Sequence, residues 1–211
     1  MSEDEATATL LATIEGKALA DPRTLRFTAG RRPTPWVRNC VALGLAGGFL
    51  EPLESTSIHL IQSGIARLLE MLPTRGFEPA DIRRYNRLMA AEFDTIRDFI
   101  ILHFHATARR DTAYWRRLTE MPIPDALAER IAIYRRTGRV YREADELFTK
   151  TSWLAVMHGQ GLVVAEHDPL AEAMALADAR RALDQIGRVT AAAADRMPRH
   201  GDFIARHCAA G

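Results

Sequence analysis

From Ile58 onward the chain alternates between helical stripes of apolar residues and short breaks. Ile58, Ile61, Ile65, Leu68 and Leu69 recur at helical spacing, which predicts a helix ending near Pro73. Pro79 to about Arg110 reads as one long helix, with Ile82, Tyr85, Met89, Phe93, Ile96, Ile100 and Phe104 on its buried face. Asp111 to Glu120 is a short helix carrying Tyr114 and Trp115. Another opens at Pro124, where the missing N–H of a first-turn proline costs little, and closes at Gly138. Arg139–Leu147 and Ser152–His158 are shorter helical patterns, and Gly159-Gln160-Gly161 is a break before a strand-like Leu162-Val163-Val164. An alanine-rich helix follows from Pro169 to Met197, and Asp202–Ala209 forms a last short one.

Before residue 58 the pattern differs. Residues 3–19 predict a helix with Leu10, Leu11, Ile14 and Leu19 on one face and a capping box from Ser2 and Glu5. Leu25 to Ala29 alternates apolar and polar, a short strand closed by Gly30. Arg31 to Trp36 is an extended connector, because residues before proline avoid the helical region. Val37–Leu43 reads as a buried strand running into a glycine turn and a helix, the order of one α/β unit. The expected architecture is therefore mainly α: a small α/β remnant over residues 1–60 and a helical domain over 61–211.

Composition narrows the function classes. The 211 residues are 47% hydrophobic and 26% charged with a net charge of +1, which fits a folded chain and excludes nucleic-acid or anionic-membrane binding through bulk charge. No apolar run is long enough for a membrane span. Two unrelated cysteines, Cys40 and Cys208, and an acidic start lead us to expect a reduced, cytoplasmic protein, with Cys40 as buried packing. His103 and His105 lie two apart on a helix, hence on different faces, so no metal site is expected.

The chemistry concentrates in residues 40–60. A small-residue run passes through Gly47-Gly48, meets Glu51-Pro52-Leu53-Glu54, and leads through Ser55-Thr56-Ser57 into a helix. Glycines permit close backbone approach by a ligand, or simply a tight turn. The hydroxyls mark a helix N-terminus, which either holds an anion or is only capped. The acids are either a working pair or a charged helix entry. Arg31-Arg32 reads as a solvated turn before a phosphate clamp, and Tyr114-Trp115 and Trp153 as core before stacking platforms.

The whole run Phe49-Leu-Glu-Pro-Leu-Glu-Ser-Thr-Ser-Ile-His-Leu60 resembles the signature of the flavin-dependent tryptophan halogenases. Arg26–Arg32, Arg97–His103, Thr151–Val156 and Phe203–Cys208 also look like this family, so the resemblance covers nearly the whole chain but only the C-terminal portion of a family member. It implies that residues 1–60 are the end of a flavin-monooxygenase-like FAD domain. It also implies chemistry in which reduced FAD from a separate flavin reductase, with oxygen, oxidises chloride or bromide to hypohalous acid. That oxidant reaches a small aromatic or indolic substrate, where a lysine and a glutamate assist. The glutamate falls on Glu54, the halide on the N–H groups of Thr56 and Ser57, and the flavin contacts on Leu45, Gly47, Gly48 and Ile58.

Departures from the family pattern are equally specific. No Gly-x-Gly-x-x-Gly fingerprint occurs, and neither Lys17 nor Lys150 sits in the context of the catalytic lysine. The nearest matches to the substrate clamp are Glu143, Leu147-Phe148 and Ser152, beside Glu54, which leaves tryptophan and other indolic or phenolic substrates open. The expectation is a C-terminal halogenase fragment inactive alone, working as a homodimer or with a missing N-terminal half. The competing expectation is a non-catalytic helical binding or interaction protein derived from the same scaffold.

Overall fold

The computed structural model describes residues 2–143 and 146–208. Its elements are helix α1 (Glu3–Thr13), strands β1 (Gly30–Arg31), β2 (Trp36–Val37), β3 (Cys40–Val41) and β4 (Gly48–Phe49), then helices α2 (Ser57–Glu70), α3 (Pro79–His105), α4 (Ala113–Glu120), α5 (Asp125–Thr137), α6 (Lys150–Gly159), α7 (Leu176–Arg196) and α8 (His200–His207). The architecture is mainly α.

The long helix α3 is the axis. Its predicted stripe is buried through Tyr85, Met89, Phe93, Ile96 and Ile100, which pack with Leu60 of α2 and Trp36 of β2. The opposite side is buried as well: Phe99 and Leu102 join Leu127, Ile131 and Tyr134 of α5 and Trp153 and Met157 of α6. A helix apolar on two sides belongs inside a bundle. Phe99 ties the second cluster together, stacking on Phe148 at 3.8 Å and meeting Trp153 edge-on at 4.8 Å. The helix ends follow from local chemistry. Thr149 caps α6 by accepting the Ser152 N–H, and Gly138 ends α5 at φ 72°, a left-handed angle that glycine adopts without strain.

The ribbon before α2 departs from the expected α/β unit. Residues 37–43 do not make one buried strand: β2 and β3 fold back as an antiparallel pair, Trp36 opposite Val41, with Arg38 at φ 54° in the turn. This turn leaves Cys40 exposed and free, correcting its reading as core. β1 pairs antiparallel with β4, so Gly30 faces Phe49 and Arg31 faces Gly48. The ribbon is fastened to α3 by Asn86, whose Oδ1 accepts the Trp36 N–H at 2.8 Å while its Nδ2 donates to the Trp36 carbonyl at 2.9 Å. The amide thus stands in for a neighbouring strand. A division at residue 60 runs through α2, whose Leu60 lies in the same cluster as Trp36.

Other expectations shift in detail. α1 stops at Thr13, with its Ser2–Glu5 capping box present and no buried residue. Residues 25–29 and 162–164 are not strands, since no partner strand lies beside them among the described residues. Residues 139–143 are extended, and positions 144–145 of that expected helix lie outside the described residues. The alanine-rich segment divides into a 3₁₀ turn, Pro169–Ala173, and α7. The last helix ends at His207, and Ala209 also lies outside the described residues. Neither α7 nor α8 buries a residue.

Candidate functional site

The site is built where the ribbon turns into α2. Gly47 and Gly48 are required by the chain's own packing: a Cβ on Gly47 would lie 2.8 Å from the Ala42 carbonyl, and one on Gly48 2.8 Å from the Gly30 carbonyl and 2.9 Å from the Phe93 ring. Both nonetheless line a small apolar cavity of about 100 Å³ with Leu43, Leu45 and Ser57. Of the arginines beside this turn, Arg32 is exposed as expected and Arg31 is half-buried, and both have partners. Arg31 makes a two-pronged pair with Asp94 of α3 at 2.9 and 3.1 Å, and Arg32 Nε donates to the Ala46 carbonyl at 2.6 Å.

Pro52–Glu54 forms one 3₁₀ turn, and Ser55 at φ 53° reverses the chain so that α2 begins immediately afterward. Thr56 is buried at the N-cap of α2 but makes no side-chain cap, so its hydroxyl does not satisfy the first N–H groups of the helix. Ser57 is the first helical residue. A helix end of this kind carries partial positive charge and free donors. Leu45 is 78% exposed and Ile58 69% exposed, so apolar surface flanks this end.

Glu54 is held across this seam by α3. Its Oε1 lies 3.0 Å from Nε2 of His103, a residue predicted only as an unsuitable metal ligand. The His103 Nδ1 lies 2.8 Å from the Phe99 carbonyl oxygen, and the Phe99 ring meets the imidazole edge-on at 4.9 Å. Glu51 and Glu54 are both exposed, and Glu54 differs in having the His103 partner. Among the described residues no group of three or more His, Cys, Asp or Glu is arranged to hold a metal.

The remaining candidates do not converge on one point. Glu143 lines a cavity of about 470 Å³ with Asp98, Glu129, Arg130, Glu146 and Trp153. Burial pushes the Asp98 carboxyl above its ordinary range, against the pull of the Arg97 guanidinium that it accepts from. Leu147 lines a separate concavity with His59, Arg67 and Glu92. Phe148 packs between the two core clusters. Ser152 is engaged in the α6 cap with Thr149. Trp153 is core, as its sequence context led us to expect, whereas Tyr114 is 59% exposed.

Besides Asp98, two further buried acids escaped the sequence reading. Glu92 of α3 accepts from His59 at 2.8 Å, from Ser63 at 2.8 Å and from Arg67, joining α2 to α3. Glu146 accepts from Arg130 at 2.6 Å and from the Trp153 indole at 3.2 Å, while the Arg130 guanidinium lies 4.1 Å over the Trp153 ring. For Glu92 the signal was an acid embedded in an apolar helical stripe, among Met89, Phe93 and Ile96.

The fold of this chain recurs in solved flavin-dependent halogenases. A flavin-dependent halogenase from Xanthomonas campestris superposes with a TM-score of 0.93 at 48% identity over 100% of this chain and 43% of that one. BrvH, a flavin-dependent halogenase from Brevundimonas sp. BAL3, gives 0.89 at 42% identity over 97% and 42%. The 7-chloro-L-tryptophan 6-halogenase KtzR of Kutzneria sp. (strain 744) is 35% identical over 98% of this chain and 41% of that enzyme. The family model for tryptophan halogenase matches residues 1–176, and the chain belongs to that family. It spans about two-fifths of the length of these relatives.

Proposed function

We propose that this chain forms the halide and substrate side of a flavin-dependent halogenase acting on tryptophan or another indolic or aromatic compound. The observation that carries this reading is the single turn that sets the Glu54 carboxylate, anchored on His103, beside the uncapped N-terminus of α2. The Thr56 and Ser57 N–H groups offer chloride or bromide charge-complementary donors. Glu54 takes the proton from the ring carbon that has received halogen, leaving the electron pair of the broken C–H bond with the aromatic ring.

The residues present fit one edge of a flavin ring. Leu45 and Ile58 are exposed apolar surface beside the helix end, and Gly47 and Gly48 let the backbone curl around the small cavity. No phosphate-cradling glycine fingerprint accompanies them. Bound there, reduced FAD supplies the oxidising power, with oxygen, that converts halide to hypohalous acid. In this reading residues 1–60 are the end of an FAD domain and 61–211 the substrate side. Glu143 is the best placed of the substrate residues, ahead of Leu147, Phe148 and Ser152, because it faces the 470 Å³ cavity. A flavin reductase delivers the reduced FAD in the cytoplasm, and the counterpart of the relatives' remaining length covers the flavin.

The test is to fuse the chain to the FAD-binding part of the Xanthomonas relative and supply flavin reductase, FAD, bromide and indole. Halogenated product by mass spectrometry is expected from the fusion and not from the 211-residue chain alone. Glu54→Gln in the fusion is expected to lose at least about 100-fold in rate. Wild-type rates from that variant refute the role given to Glu54, and product from the isolated chain refutes the division of labour. The uncovered faces of α1, α7 and α8 favour a second reading, a non-catalytic binding protein on the same scaffold. An inactive but folded fusion supports it.

A further inference from the structure

We infer that His103 is a positioning residue, held as an imidazolium, that fixes which oxygen of Glu54 is free to act. The argument is a count of protons. A backbone carbonyl oxygen can only accept, so the 2.8 Å contact with the Phe99 carbonyl requires a proton on Nδ1 of His103. A neutral ring in that tautomer would aim the lone pair of Nε2 at Glu54 Oε1, two acceptors facing each other at 3.0 Å. A second proton therefore lies between them.

Three features place it on the ring. His103 sits in the last turn of α3, where the helix dipole favours a cation. Glu54 keeps 33% of its side-chain surface in solvent, which supports its carboxylate form. The other charges of this helix segment, Asp94, Arg97 and Asp98, are engaged with one another and with Arg31, and none of them records a hydrogen bond to His103.

The consequence bears on the reading of Glu54 given above and rests on it. With Oε1 bound to Nε2–H, Oε2 is the oxygen not engaged by His103. It takes the ring proton from the halogenated carbon: the C–H bond breaks toward the ring, an O–H bond forms at Oε2, and Glu54 passes from carboxylate to acid while His103 keeps both protons. The cation at Oε1 holds the carboxylate in place without competing for the incoming proton. His103 touches neither substrate nor halide in this scheme.

Two measurements test it. In the 211-residue chain labelled with ¹⁵N-histidine, long-range proton–nitrogen spectra at neutral pH are expected to show both ring nitrogens of His103 protonated. In Glu54→Gln, Nε2 is expected to become a bare acceptor while Nδ1 stays protonated. An unprotonated Nε2 in the wild-type chain, or no change in Glu54→Gln, overturns the inference, and neither result depends on catalysis. In the fusion, His103→Leu is expected to lower kcat roughly 100-fold with the substrate KM unchanged. His103→Gln keeps a donor for Oε1 and is expected to recover part of that loss. Equal rates for wild type, His103→Leu and His103→Gln overturn the positioning role. A fusion inactive in every version refutes the halogenase reading, and the nitrogen spectra still decide the pair.

Discussion

The bundle around α3 and the arms formed by α1, α7 and α8 follow the same grammar with opposite outcomes. Both carry apolar residues at helical spacing. In the bundle, Tyr85, Ile96, Leu102, Leu127 and Trp153 are at most 1% exposed. In the arms, Leu10, Leu183, Ile186, Val189 and Phe203 are between 47% and 68% exposed. Amphipathic pattern creates a face, and only a second face opposite it converts the pattern into stability. Within this chain α3 supplies that second face to α2, α5 and α6, and nothing among the described residues supplies it to α7. The relatives are more than twice as long, which is where the complementary surface of a family member would be sought.

The comparison breaks most sharply on a core truncation. Phe99→Ala removes the contacts to Phe148, Trp153 and His103 and is expected to cost about 3–5 kcal/mol in urea denaturation. Ile186→Ala in α7 is expected to change it by no more than about 0.5 kcal/mol. A comparable loss from both would mean that α7 is packed in solution. Helix caps give a smaller contrast. Thr149→Ala at the start of α6 is expected to lower global stability by about 1 kcal/mol, whereas Ser2→Ala, which removes the α1 capping box, should melt α1 in circular dichroism and leave the cooperative transition in place.

The smallest effect lies at the junction between the bundle and the α7 arm. Arg139 donates to both oxygens of Asp168, at 2.7 and 2.8 Å, and with the Leu170 N–H it holds the Asp168 carboxyl down at about 2. A carboxyl lowered on folding stabilises the folded form above its ordinary value and loses that contribution as pH falls through the lowered one. The pair is partly exposed, so the effect is local. Amide exchange at Ala165 and Glu166, whose N–H groups donate to the Arg135 and Arg136 carbonyls, should accelerate between about pH 4 and pH 2 beyond the intrinsic change. In Asp168→Asn that acceleration should vanish.

Long periodic helices were legible because burial on α3 sets the period of the pattern. The predicted Pro79–Arg110 helix differs from Pro79–His105 only at its end. The ribbon was not legible, since Leu25, Phe27 and Ala29 alternate as a strand does and yet find no strand to pair with. Phe27 is 68% exposed and meets only the edge of Phe49 among the aromatic rings, at 4.7 Å. The signature around Glu54 was visible as a run, but its anchor was not. His103 lies on another helix, and local spacing says nothing about which distant side chains meet. Cys40 was misplaced for a local reason, because one left-handed residue at Arg38 turned a single buried strand into a hairpin with Cys40 exposed beside the turn.

One helix holds both ends of the site. Asn86 grips the ribbon at Trp36, and His103 grips Glu54, and both project from α3. At 1.5 Å per residue the two grips are separated by about 25 Å along a continuous rod. The helix therefore acts as a ruler between the two places where the seam is pinned. Adding or deleting a single residue between positions 86 and 103 would turn one grip by about 100° relative to the other. A whole turn would restore the direction but displace one grip by about 5.4 Å, so the length of this rod is fixed by the seam whatever happens to the loops at either end.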